Sequence, residues 1–210
     1  MEELDLLKKD WQKSGNAFEQ LSENDIYRML HRKSSSIVKW ILVISIMELA
    51  LWTAVSFIGN TDDYLQKINR PEVVGYLRAL NFFHYAVIAV LIFLFYKNYV
   101  RITATASTRD LMKDIIRTRK TVQFYVWYNL AMMTLIFILG FFVHMTYNPE
   151  VSQLLERSTS NSSFMAGIII GMLVFIILFV GLFWLFYRLI YGILLRKLLC
   201  NYKELKKIDL

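Results

Sequence analysis

Four stretches of the chain, residues 38–58, 81–99, 122–147 and 164–187, are long, apolar and almost free of charge, and the last carries none at all. The hydrocarbon core of a bilayer is about 30 Å thick and needs about 20 mostly apolar residues per helical crossing. Within lipid the backbone has to satisfy its own hydrogen bonds, so single spans of this kind are helices. The expected fold is an all-α membrane protein, a bundle of four transmembrane helices. Composition agrees, since 56% of the 210 residues are hydrophobic, 15% are aromatic and only two are proline, which is too apolar for an ordinary soluble domain. More than thirty largely polar residues precede the first apolar run, so residues 38–58 read as a retained anchor rather than a cleaved signal.

Orientation follows from lysine and arginine, because positively charged loops resist translocation. Residues 1–39 carry seven, the 97–121 connection seven and the chain from Arg188 onward six, against three and one in the other two loops. A split of 20 to 4 predicts that both termini and the 97–121 connection are cytoplasmic. The net charge of +7 then belongs to one face, whose natural counterpart is anionic lipid. No nucleic-acid-binding pattern accompanies the charge, so nucleic acid is not an expected partner.

The expected organisation is an amphipathic cytoplasmic segment over 1–37, the membrane domain over 38–191 and a basic tail over 192–210. Leu4, Leu7 and Trp11 recur at helical spacing, with Lys8, Lys9 and Lys13 on the other side. Ser22 with Asp25 forms a capping box that starts a second helix, and Ser34-Ser35-Ser36 offers a hinge before the first span. Ser107 with Asp110 marks another start. A helix from about Thr108 to Tyr147 would be about 60 Å long, so part of it must project from the membrane as half of a basic hairpin turning near Ala104 to Thr108. In the outer loop from Gly59 to Arg78, between the first two spans, Leu65, Ile68, Val73 and Leu77 suggest a short amphipathic segment.

Candidate site residues are few. Glu48 lies about ten residues into the first span, and a carboxylate there must be neutral, paired or facing a wet cavity. Ser45, Glu48, Trp52 and Ser56 share a face that looks into the bundle. Two readings stand for Glu48: a proton or cation site, or a protonated side chain bonded to a neighbouring helix. Asn129, at a similar depth in the third span, is its expected partner, on a stripe with Tyr125, Met133, Ile136, Gly140 and His144. His84 and His144 are expected near the outer ends of their spans, either as a ligand pair for a metal or haem or as interfacial anchors. Gly167 and Gly171 form a GxxxG motif that allows close helix approach, within one bundle or between two copies in a homodimer. Cys200 is the single cysteine, so no internal disulfide or multi-thiolate metal site is expected. No phosphate loop, dinucleotide fingerprint, nucleophile elbow or metalloprotease helix is present.

The opening Glu3-Leu4-Asp5-Leu6-Leu7-Lys8-Lys9-Asp10-Trp11-Gln12 and the stretch Asp25-Ile26-Tyr27-Arg28-Met29-Leu30-His31-Arg32-Lys33, continuing to Trp40, resemble a family of small bacterial four-span inner-membrane proteins. The resemblance implies a bacterial cytoplasmic membrane and no established activity. Members of that family sometimes carry the label beta-carotene 15,15'-monooxygenase, which the resemblance extends to this chain. Carotenoid-cleaving enzymes hold iron with four histidines on a β-propeller, whereas this chain has three histidines, split between the two sides of the membrane, and no strand-rich region. The opening is also similar, over about ten residues, to the leucine-tryptophan helix of some bacterial membrane proteins that regulate sigma factors. The expectation is a non-enzymatic protein without a cofactor. Its Leu4, Leu7 and Trp11 helix either docks into a groove of a cytoplasmic protein partner or lies on the membrane surface. The alternative is a small transporter or channel built on Glu48 and Asn129.

Overall fold

A computed structural model describes residues 22–58, 70–105, 107–147 and 162–208. The Leu4, Leu7 and Trp11 helix and the Leu65 and Ile68 segment lie outside the described residues. Four helices account for the rest: α1 Glu23–Ile58, α2 Pro71–Ala104, α3 Thr108–Tyr147 and α4 Ser162–Ile208. They alternate in direction. Each neighbours the next in the chain and α4 closes back on α1, giving an up-down-up-down bundle.

Local chemistry sets the helix ends. Ser22 Oγ accepts the Asp25 amide at 3.2 Å, the first half of the expected capping box at the start of α1, while the Asp25 carboxylate accepts from the Ser22 hydroxyl at 2.6 Å rather than from its N–H. Pro71 opens α2, where its missing N–H has no helical partner to lose. Thr105, in extended conformation, ends α2, and Ser107 accepts the Leu111 amide to start α3. The expected turn and the expected bounds of α3 agree with these.

Buried positions advance in steps of three or four residues. On α1 they are Leu30, Ser34, Val38, Ile41 and Ser45; on α2, Ile88, Leu91, Phe95, Asn98 and Ile102. Leu111, Ile115, Thr118, Val122 and Tyr125 repeat the pattern on α3, and Tyr191, Leu198 and Leu205 lie seven apart on α4. This seam goes with a shallow left-handed crossing of about 20°.

Outside the seam the surface is apolar. Met47, Leu51, Phe82, Trp127, Ile177 and Leu178 are all more than half exposed, and in α4 only 6% of the most apolar stretch is buried inside the protein. All four helices are long and apolar enough to cross a membrane, and a surface of this kind needs lipid against it. This is an integral, multi-pass membrane protein.

At 36, 34, 40 and 47 residues, the helices exceed the membrane thickness. The surplus builds a second core at the end that holds both described termini and the α2–α3 turn, termed the basic end here. Leu30, Val38, Ile102, Leu111, Leu198 and Leu205 fill it. Two expectations change as a result. Ser34 to Ser36 form no hinge, because α1 is continuous and Ser34, fully buried, accepts a hydrogen bond from the Asn201 carboxamide at 3.0 Å. Residues 192–208 are not a separate tail but the last turns of α4, held by Leu198 and Leu205. At the opposite end Val73 and Leu77 belong to the first turns of α2, packed with Val74 against Val143.

Candidate functional site

Glu48 follows Ile41 by seven residues and Ser45 by three, so the seam that buries those side chains also turns Glu48 inward. It is the one acidic residue in the four apolar stretches. Three phenols from two other helices converge on it. Tyr125 of α3 donates to Oε2 at 2.8 Å, Tyr187 of α4 donates to Oε1, and Tyr191, one turn further, reaches Oε2 at 3.5 Å. The phenols are 1–2% exposed. Tyr125 and Tyr191 meet edge to face at 5.9 Å, and Phe95 of α2 backs Tyr125 at 5.3 Å, in the geometry that aromatic rings prefer. The Trp52 indole, one turn along α1, is also within reach of the carboxylate.

An ionised carboxylate is acceptor-only and has room for about four hydrogen bonds. Three phenol donors suit it, and charge-assisted bonds of this kind are about twice as strong as neutral ones. Among the described residues, though, none of the side chains that bond to Glu48 is a cation. A protonated Glu48 fits equally, because its own O–H can donate to a phenol oxygen. The cluster accommodates both forms.

Beyond this cluster, away from the basic end, lies a cleft of about 270 Å³ lined by all four helices. Trp52 and Tyr187 line it and belong equally to the Glu48 cluster. Ser56, Asn81, His84 and Asn129 supply polar groups to its walls, with Tyr85 and Phe137 between them. His84 Nδ1 lies 3.3 Å from the Tyr128 hydroxyl, and the two rings stack at 5.7 Å.

Several expected site residues fall elsewhere than expected. Asn129 is not the partner of Glu48: its carboxamide donates to the Tyr125 carbonyl at 2.9 Å, one turn back on its own helix. A short amide bonds locally, whereas a phenol reaches across the bundle. His84 lies 13 residues into α2, which begins at Pro71, and lines the cleft. His84 and His144 do not converge either. His144 is 16 residues beyond Tyr128, about 24 Å along α3, and it lines a different crevice, between α3 and α4. Gly167 and Gly171 make no close helix contact in the bundle, since a Cβ at either would meet nothing within 4 Å. Phe137, Phe175 and Phe179 interlock at 4.9–5.8 Å and hold α3 and α4 apart there.

Tyr187 and Tyr191 went unrecognised in the sequence. Their i, i+4 spacing, in register with Leu198 and Leu205, was the available signal. Tyr128 is the hydrogen-bond partner of His84, while Trp127 beside it faces outward, 67% exposed.

The family model described as Domain of unknown function (DUF8845) matches residues 24–210. The chain belongs to this family. The DUF8845 match takes in all four helices and every member of the Glu48 cluster. No curated protein and no solved structure matches the chain, and nothing in the comparisons supports an oxygenase label for this DUF8845 member.

Proposed function

We propose that this chain is a small transporter of the bacterial inner membrane, with its basic end in the cytoplasm, and that Glu48 is the group that carries a proton or a cation. One observation carries the reading: a carboxylate within an apolar span, held by three phenols and, among the described residues, with no cation bonded to it, next to a cleft that Tyr187 also lines. Ionisable groups inside a membrane are expensive, and those that persist mark ion and proton paths. Tyr187 both lines the cleft and bonds to Oε1, so a ligand in the cleft would touch a residue that holds the carboxylate. The basic end supports the sidedness through the excess of lysine and arginine.

The test is infrared difference spectroscopy on protein reconstituted in lipid. A carboxyl C=O band should titrate with external pH, shift in deuterated water and vanish in Glu48→Gln. Absence of any exchangeable carboxyl band in the native protein would end the reading.

The basic end motivates a second reading, in which the chain presents this projecting core to anionic lipid and to a cytoplasmic protein. Its buried Leu111, Ile115, Leu198 and Leu205 make it a body in its own right rather than a set of loose tails. Pull-down with the native chain and with Trp11→Ala distinguishes this reading, since an unchanged set of captured partners removes the expected docking helix from it.

A further inference from the structure

The lining of the cleft narrows the class of ligand, on the reading of Glu48 given above. A metal ion takes its ligands from a compact shell of about six to eight oxygens. This space is far larger and its walls are mainly aromatic and aliphatic. Its volume of about 270 Å³ lies just below the about 300 Å³ at which small-molecule sites begin. Trp52 and Tyr187 line the cleft, and a cation is attracted to the face of an aromatic ring, most strongly that of tryptophan. Next to them stands the Glu48 carboxyl group, and among the described residues none of the side chains bonded to it is a cation. Tyr85 and Phe137 provide flat apolar surface further out, and Ser56, Asn81, His84 and Asn129 can bond to a polar substituent.

We propose that the cleft takes a small organic monocation, an ammonium group attached to a flat apolar body, with the ammonium on the Trp52 and Tyr187 rings above Glu48. The ligand cation and the Glu48 proton exclude one another, because the carboxylate balances one positive charge at a time. The titratable groups facing Glu48 are Tyr125 from α3 and Tyr187 and Tyr191 from α4. His84 from α2 is the titratable side chain on the cleft wall, bonded to Tyr128.

The experiment is calorimetric titration of the full chain in lipid nanodiscs with benzyltrimethylammonium chloride. Parallel arms use its neutral carbon isostere, neopentylbenzene, and sodium chloride at matched ionic strength. The expected result is saturable binding of the organic cation with release of protons to a weak buffer, about tenfold or more weaker binding of the isostere, and no saturable heat from sodium. Glu48→Gln should abolish the proton release, and Trp52→Leu should weaken binding several-fold. Equal binding of cation and isostere, or saturable binding of sodium alone, overturns the ligand class even if the variants fail to fold, because those arms need only the native chain. If the Glu48 infrared band titrates while benzyltrimethylammonium shows no saturable heat, the ligand class falls and the proton site stands. If no carboxyl band titrates, both fall.

Discussion

Replacing Tyr187 by phenylalanine removes one hydroxyl and leaves the ring, its packing and its share of the cleft lining in place. The loss is confined to the bond donated to Glu48 Oε1. Hydrogen bonds between helices in a membrane average about 0.6 kcal/mol and reach about 1.7, and an ionised acceptor roughly doubles such a bond. Tyr187→Phe should therefore destabilise the native bundle by about 1.2 kcal/mol on average when Glu48 is ionised, and by about half of that in a Glu48→Gln background. The difference, about 0.6 kcal/mol or more, is the coupling of the hydroxyl to the charge, and a double-mutant cycle isolates it. Unfolding of the four variants in mixed micelles of increasing denaturing detergent measures all the terms, and repeating the cycle at high and low pH moves Glu48 between its two forms. Coupling should appear at high pH and shrink at low pH. Equal losses in both backgrounds at every pH would mean that the phenol never holds a charge, and the proton-exchange reading would be wrong.

At the basic end, Ser34→Ala should cost about 1–3 kcal/mol by leaving the buried Asn201 carboxamide without its acceptor. Adding Asn201→Leu should recover much of that, and a neutral Ser34→Ala in the same unfolding assay would contradict the contact. Tyr27, on the part of α1 that projects from the membrane, donates to the Thr105 carbonyl at 3.0 Å, and burial pushes its phenol above the ordinary range. A value raised in the folded state gives stability that is complete below the unfolded phenol value of about 10 and is lost as pH climbs through the folded value. Tyr27→Phe should therefore flatten the alkaline limb of the stability curve, and superimposable limbs for the two proteins would count against that burial. Cys200 is exposed at the basic end, so a membrane-impermeant maleimide should label it in inverted vesicles and not in intact cells, and the reverse pattern would overturn the orientation.

What could be read without coordinates was whatever depends on neighbours in the chain. Apolar run length against membrane thickness gave four helices, and Ser22 with Asp25 gave the start of α1. The unbroken 3.6 period from Leu111 through Val122 gave the single long α3. Local rules also misled where a distant residue decides. Three consecutive serines favour a break by propensity, yet Ser34 stays helical because Asn201 of α4 bonds to it. A GxxxG motif permits close approach, yet the interlocked phenylalanines keep α3 and α4 apart beside Gly171.

Glu48 was conspicuous in the sequence because a charge in an apolar run is costly wherever the run is placed. Its partners were not, since Tyr125, Tyr187 and Tyr191 stand 77, 139 and 143 residues away. Depth in a span can be counted from hydropathy, but which face a helix turns inward and how it slides against its neighbours are fixed by side-chain packing over the whole seam. The sequence by itself determined how many times this chain crosses the membrane and where one buried charge lies. Only the tertiary structure, by setting the rotation and register of four antiparallel helices, decided that three phenols hold that charge and that a cleft opens above it.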